Sequence, residues 1–115
     1  MEDYVREKIG KVQVADEVFC AIAGLAATEV KGVSTLGKEL THDMITRSGI
    51  KELSKCVKID TDGDQIAVRI AISVTGDIPI PKVSTEVTEH VRNAIEAMTG
   101  MTVSGVEVNI IGVHA

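Results

Sequence analysis

The sequence predicts an α+β domain in two layers: a mixed or antiparallel sheet of four to five strands with two main helices on one face. Strict alternation in "QIAVRIAISV" puts Ile66, Val68, Ile70, Ile72 and Val74 on one side of a strand. After Pro81, Val83, Val87, Val91, Ala94, Ile95 and Met98 recur at helical spacing. Hydrophobic residues make up 44% of the 115 residues and aromatics only 2%, so the core must be built from Val, Ile, Ala, Leu and Met. A single domain over 1–115 accommodates this length, and at this size roughly two-thirds of the unfolded surface can be buried without a metal or disulfide.

Residues 1–8 are polar and charged and read as a frayed tail. "IGKVQV" alternates and predicts a first strand at 9–14. Asp16 stands where an N-cap belongs, its carboxylate able to accept from the N–H groups of an opening turn. A helix at 16–29 follows. Phe19, Ile22, Ala23, Ala26 and Val30 form its stripe, and Val18 and Leu25 widen it. Gly24 costs about 1 kcal/mol against alanine in such a helix, a cost that close approach to another element would offset. "KGVSTL" places a glycine stop before a short strand at 32–36. The segment 37–55 is irregular, with a helical turn or two carrying Leu40, Met44 and Ile45, and a break at Ser48-Gly49.

From Cys56 the pattern sharpens. Val57 and Ile59 alternate with Lys58 and Asp60, and Asp62-Gly63 supplies a hairpin turn into the long strand. The far side of that strand carries Ala67, Arg69, Ala71 and Ser73. "TGDIPIP" is a loop, and Pro81 suits the first helical turn, where a missing N–H is no loss. On the helix's polar side Glu86–His90 and Glu89–Arg92 stand at pairing distances. Gly100 is a left-handed cap, and a Val-rich strand closes the chain. In that strand Ile110 and Ile111 are adjacent, so the alternation changes phase, by a bulge or by burial on both faces. The predicted order is β-α-β-(irregular)-β-β-α-β.

Chemistry is sparse in this pattern. The formal charge of −5 repels phosphate backbones and anionic lipid, and two aromatics offer no stacking platform for bases. Nucleic acid is therefore disfavoured as a partner. Asp60, Asp62 and Asp64 copy the opening of a calcium loop, but Gln65 and Ala71 stand where glycine and glutamate belong, and the flanks are strands. His42, His90 and His114 lack metal-ligand spacing, so no metal is expected. No nucleotide-binding or nucleophile motif occurs, which predicts no cofactor and no catalytic residue. The layout is similar to that of RNA-binding KH modules, yet the GxxG clamp is missing. No secretory signal and no apolar run of membrane-spanning length is present, so Cys20 and Cys56 read as thiols of a reducing compartment, their pairing left open.

Two stretches, "GKVQVADEVFCAIAGLAATEVKGV" and "VRIAISVTGDIPIPKVSTEVTEHVRNAIEAMTGMTVSGVEVNIIGV", together resemble the alkaline shock protein family. The most telling pieces are Gly32-Val33 after an Ala-rich helix and Met98-Thr99-Gly100 before a Val-rich strand. The resemblance covers about 9–113. It implies a cytosolic bacterial protein linked to cell-envelope stress, one that self-associates or is held at the membrane by a separate, membrane-anchored protein. No catalytic residues are established for that family. The long charged tails of some members are missing here.

The function expected is that of a non-enzymatic interaction protein. Its partners would be further copies of itself and a membrane-anchored protein, with no direct membrane insertion. Candidate contact residues are Leu40, Met44 and Ile45 in the irregular segment and Ile111 and Val113 in the last strand, each of which core packing would also explain. The alternative is a small-ligand or RNA-binding module of KH-like layout. An enzyme is a third reading, for which Asp43, His42 and His90 are the groups to nominate.

Overall fold

The computed structural model describes residues 14–38, 40–48 and 53–114. The expected tail at 1–8, the strand expected at 9–14 except for its last residue, and Gly49 of the expected break lie outside the described residues. The described chain runs through helix α1 (Val14–Thr28), strand β1 (Val33–Leu36), short helix α2 (His42–Ser48) and a 3₁₀ turn (Leu53–Lys55). Strands β2 (Val57–Asp62) and β3 (Gln65–Thr75), helix α3 (Ile80–Thr99) and strand β4 (Thr102–His114) complete it.

β3 organises the fold. Its period-two pattern buries Ile66, Val68, Ile70, Ile72 and Val74 on one face. Each such side chain contributes about 1.5–3 kcal/mol by leaving water. Val83, Val87, Val91 and Ile95 of α3 and Phe19, Ala23, Ala26 and Ala27 of α1 are buried in the same core, with the two helices packed side by side. α3 ends at Gly100, whose left-handed backbone lets its N–H donate to the Glu96 carbonyl. Met98 departs from the predicted stripe: it is 70% exposed. It stands one turn beyond Ala94, near the end of α3, where it lines the space between the two helices.

Both edges of β3 are occupied, in different ways. β4 pairs with it in parallel along the whole length from Gln65 to Thr75, the crossover being made by α3, so the sheet is mixed. The other edge is shared. β2 pairs antiparallel with residues 65–70 and β1 with residues 72–74. β1 and β2 are thus one broken strand laid end to end. Ala71 bridges the break: its carbonyl accepts from Gly37 N–H at 2.7 Å, and its own N–H donates to the Cys56 carbonyl at 2.9 Å. Residues 37–56 are an excursion from this join. Asp62 pairs with Gln65, so the hairpin turn is Gly63-Asp64, and Gly63 alone takes positive φ there. The phase change in β4 is a bulge, since the register slips between Ile110 and Gly112 with Ile111 as the extra residue.

Some expectations are corrected. Val14 and Ala15 already belong to α1, so Asp16 lies inside the helix and is not its N-cap. The run Val14-Ala15 contains no helix breaker, so the helix extends through it. The segment 37–55 holds α2 and the 3₁₀ turn, as the expected helical turns. From it Ile45 and Leu53 reach the core. Gly24 meets them there: a β-carbon at Gly24 would lie 3.0 Å from Leu53 Cδ2 and 3.2 Å from Leu36 Cδ2. That is the close approach the helix-interior glycine implied.

Candidate functional site

The residues nominated from sequence fall on opposite edges of the sheet. Leu40 is half-buried and exchanges backbone hydrogen bonds with Leu36, at 2.6 and 3.1 Å, beside the β1 edge. Met44 on α2 is 43% exposed. Ile45 is only 6% exposed and belongs to the core, so the expectation of a surface contact there gives way to packing beside Leu53 and Gly24. Ile111 and Val113 are 46% and 59% exposed at the end of β4. Because β3 separates β1 from β4, the nominated residues do not form one patch.

β4 is the longer feature. It runs 13 residues, and among the described residues no strand pairs with its outer edge. Between its register slips lies a regular stretch, Gly105–Ile110. The single acidic side chain of the strand, Glu107, is engaged by Arg69 at 3.2 Å on the helix-free face. Val106, Val108 and Ile110 point toward the core yet are only partly covered. The opposite edge is different: it is interrupted at 37–56, and β2 carries Lys58, Asp60 and Asp62. Charges and breaks are how sheets keep an edge from pairing with another chain, and β4 has few of either. Glu96 anchors its start, one carboxylate oxygen accepting from Val103 N–H at 2.9 Å.

The helix-free face of the sheet is largely small and polar. Ala67 and Ala71 are half-buried. Ser73 is fully buried, its hydroxyl donating to the Gly37 carbonyl at 2.8 Å, and the Thr35 hydroxyl donates to the same oxygen at 3.1 Å. These hydroxyls tie the broken edge strand to β3 and are committed to that role.

Sequence reasoning missed a second surface. On the side away from the sheet, α1 and α3 enclose an open groove of about 560 Å³, lined by Val18, Ile22, Leu25, Ala94 and Met98 among others. Its signal was present in the breadth of the α1 stripe, because a helix apolar on more than one side needs more than one cover. At one end stand Glu29, Glu86 and Glu89 with Lys31. His90 lies 3.9 Å from Glu29, across the two helices. Among the described residues neither the expected Glu86–His90 nor the Glu89–Arg92 pair forms, and His90 is set against Glu29 instead.

The groups nominated for catalysis are not brought together: His42 and Asp43 sit exposed on α2, while His90 faces Glu29. Among the described residues no three His, Cys, Asp or Glu side chains converge as metal ligands. Cys20 and Cys56 are not joined as a disulfide, and the Cys20 thiol lies 3.5 Å from the Val57 carbonyl. Asp77 sits exposed in the turn after β3, and the hydrogen bond from the Thr75 hydroxyl holds its carboxyl below the usual range. No helix among the described residues is long and apolar enough to cross a membrane.

Comparison with known proteins bears out the resemblance read from the sequence. The pattern of the alkaline shock protein family, described as having a cell envelope-related function, matches residues 4–115. The uncharacterized protein YqhY of Bacillus subtilis (strain 168) is 33% identical over 112 residues, covering 97% of this chain and 83% of that protein. The uncharacterized protein YloU of the same organism is 29% identical, covering 96% of this chain and 93% of its own length. The uncharacterized protein Spy1535 of Streptococcus pyogenes serotype M6 is 26% identical, covering 95% and 83%. No solved structure matches. With the family pattern matched from residue 4 to the last residue and a relative of this identity along nearly all of it, the chain belongs to the alkaline shock protein family, whose function is related to the cell envelope.

Proposed function

We propose that this chain is a non-enzymatic interaction domain that assembles with a second copy through β4 and acts at the cell envelope. The observation that carries the reading is the β4 edge: long, regular from Gly105 to Ile110, and almost free of charge. Antiparallel pairing of two such edges about Val108 sets Glu107 of each copy opposite the neutral Asn109 of the other. Like charges then never meet, and main-chain hydrogen bonds extend the sheet across both copies. The same pairing covers the part-exposed Val106, Val108 and Ile110 and shields Ile111 and Val113 at the end. The family's cell envelope-related function supports a place at the envelope, where a separate protein with its own spanning segment would hold the domain.

The test is the molar mass in solution by light scattering across concentration, for the natural chain and for Ile111→Lys/Val113→Lys. Both positions are exposed, so the double variant is expected to keep its circular dichroism and lose the dimer. A natural chain that stays monomeric at the highest attainable concentration would refute assembly through β4. A dimer untouched by the lysines would do the same. Affinity capture with and without membrane solubilisation tests the envelope part, which predicts a co-purifying protein with a membrane span.

A further inference from the structure

We infer that the groove between α1 and α3 is a docking site for a cationic amphipathic helix of a partner protein. This surface lies on the far side of the helices from the sheet and does not depend on the β4 edge. α1 presents two apolar sides. One, with Phe19, Ala23, Ala26 and Ala27, is buried in the core. The other carries Val18, Ala21, Ile22 and Leu25 at i, i+3, i+4 and i+7, and lines the groove. α3 contributes Ala94 and Met98. A helix apolar on both sides is made to be covered on both, and among the described residues this side is covered only in part.

The groove's shape fits a helix. From Val18 to Glu29 it follows α1 for about three turns, more than the roughly two turns that anchors at i, i+3 or i+4, and i+7 span. Its electrostatics choose the sign of the occupant. The polar end has Glu29, Glu86 and Glu89 against Lys31. The carbonyl end of α1, which finishes at Thr28, adds its negative pole to the same place. An acidic end facing an acidic end disfavours a second copy seated here, and it disfavours anionic lipid. A helix with Leu-type anchors and Lys or Arg near one end fits both the apolar floor and the acidic rim.

The experiment uses the full chain and a pair of labelled helical peptides with identical leucine anchors, one ending in lysines and the other in glutamates. Fluorescence anisotropy reads affinity, and amide chemical shifts read location. The lysine peptide is expected to bind at least about tenfold more tightly than the glutamate peptide, as two or three partly screened ion pairs supply. Its shifts should centre on Val18, Ile22, Leu25, Ala94 and Met98. Met98→Gln, at an exposed position, should weaken both peptides. Glu29→Lys/Glu89→Lys, also exposed, should reverse the preference between them. Failure of the lysine peptide to bind, equal affinity for both peptides, or shifts centred elsewhere would overturn the assignment. So would loss of self-association in Met98→Gln, because the groove's occupant would then be a second copy.

Discussion

Replacing Gly24 with alanine sets two effects of similar size against each other, and the packing around α1 decides between them. Alanine in a helix interior is favoured over glycine by about 1 kcal/mol. The new methyl, however, would sit 3.0 Å from Leu53 Cδ2 and 3.2 Å from Leu36 Cδ2. Comfortable carbon–carbon separation is about 3.5–4.0 Å, so each leucine must yield by roughly half an ångström. Both are fully buried, Leu36 at the end of β1 and Leu53 in the 3₁₀ turn, and neither has open space to retreat into. Overfilling a packed core costs about 1–3 kcal/mol. The expected balance is a net loss of about 1 kcal/mol, read in urea as a lower midpoint at unchanged slope. The paired variant Gly24→Ala/Leu53→Val makes room for the methyl. It should therefore be more stable than the sum of the single changes, a coupling that a double-mutant cycle isolates. If Gly24→Ala alone stabilises the protein by the full propensity gain, the close approach is not a constraint and the reasoning fails.

Gly37→Ala should cost more, about 2–4 kcal/mol, because alanine must adopt a left-handed backbone there and meets Cys56 Sγ at 2.5 Å, at the join between β1 and β2. Chemical denaturation measures it. Glu96→Ala removes the acceptor for Val103 N–H and should cost about 1–2 kcal/mol, whereas Glu96→Gln keeps an oxygen there and should recover much of it. Thr75→Val removes the hydroxyl that holds the Asp77 carboxyl below its usual range, so the carboxyl should titrate higher by NMR. The sign for stability follows from that lowered value. The natural chain's contribution from this contact is present above the unfolded carboxyl range and is lost as pH falls through the native value. Thr75→Val should remove that acid-side dependence, and an unchanged titration of Asp77 would contradict it.

Much of this architecture is legible along the chain because it rests on near neighbours. The alternation in 65–74 identifies the buried face of β3 without reference to any partner, and that face is the one buried. The stripe of Val83, Val87, Val91 and Ile95 and the Gly100 cap are likewise local, since a helix repeats within a few residues. The doubled isoleucine announced a change of phase, by a bulge or by burial on both faces, and the register shows the bulge. Met98 was placed in the buried stripe, and Ile45 was left between surface contact and core packing, for one reason: local spacing says that a side chain is apolar and not which neighbour covers it.

Sequence alone therefore determined the class of the domain and the inward faces of its central strand and second main helix. Tertiary structure alone decided that β1 and β2 share one broken edge, that β4 runs parallel on the other, that Glu29 meets His90, and that α1 keeps an apolar side for the groove. The physical reason is range. Periodicity and caps act over one turn or one pleat, whereas the choice of strand neighbour and the leftover surface depend on residues tens of positions apart competing for the same partners.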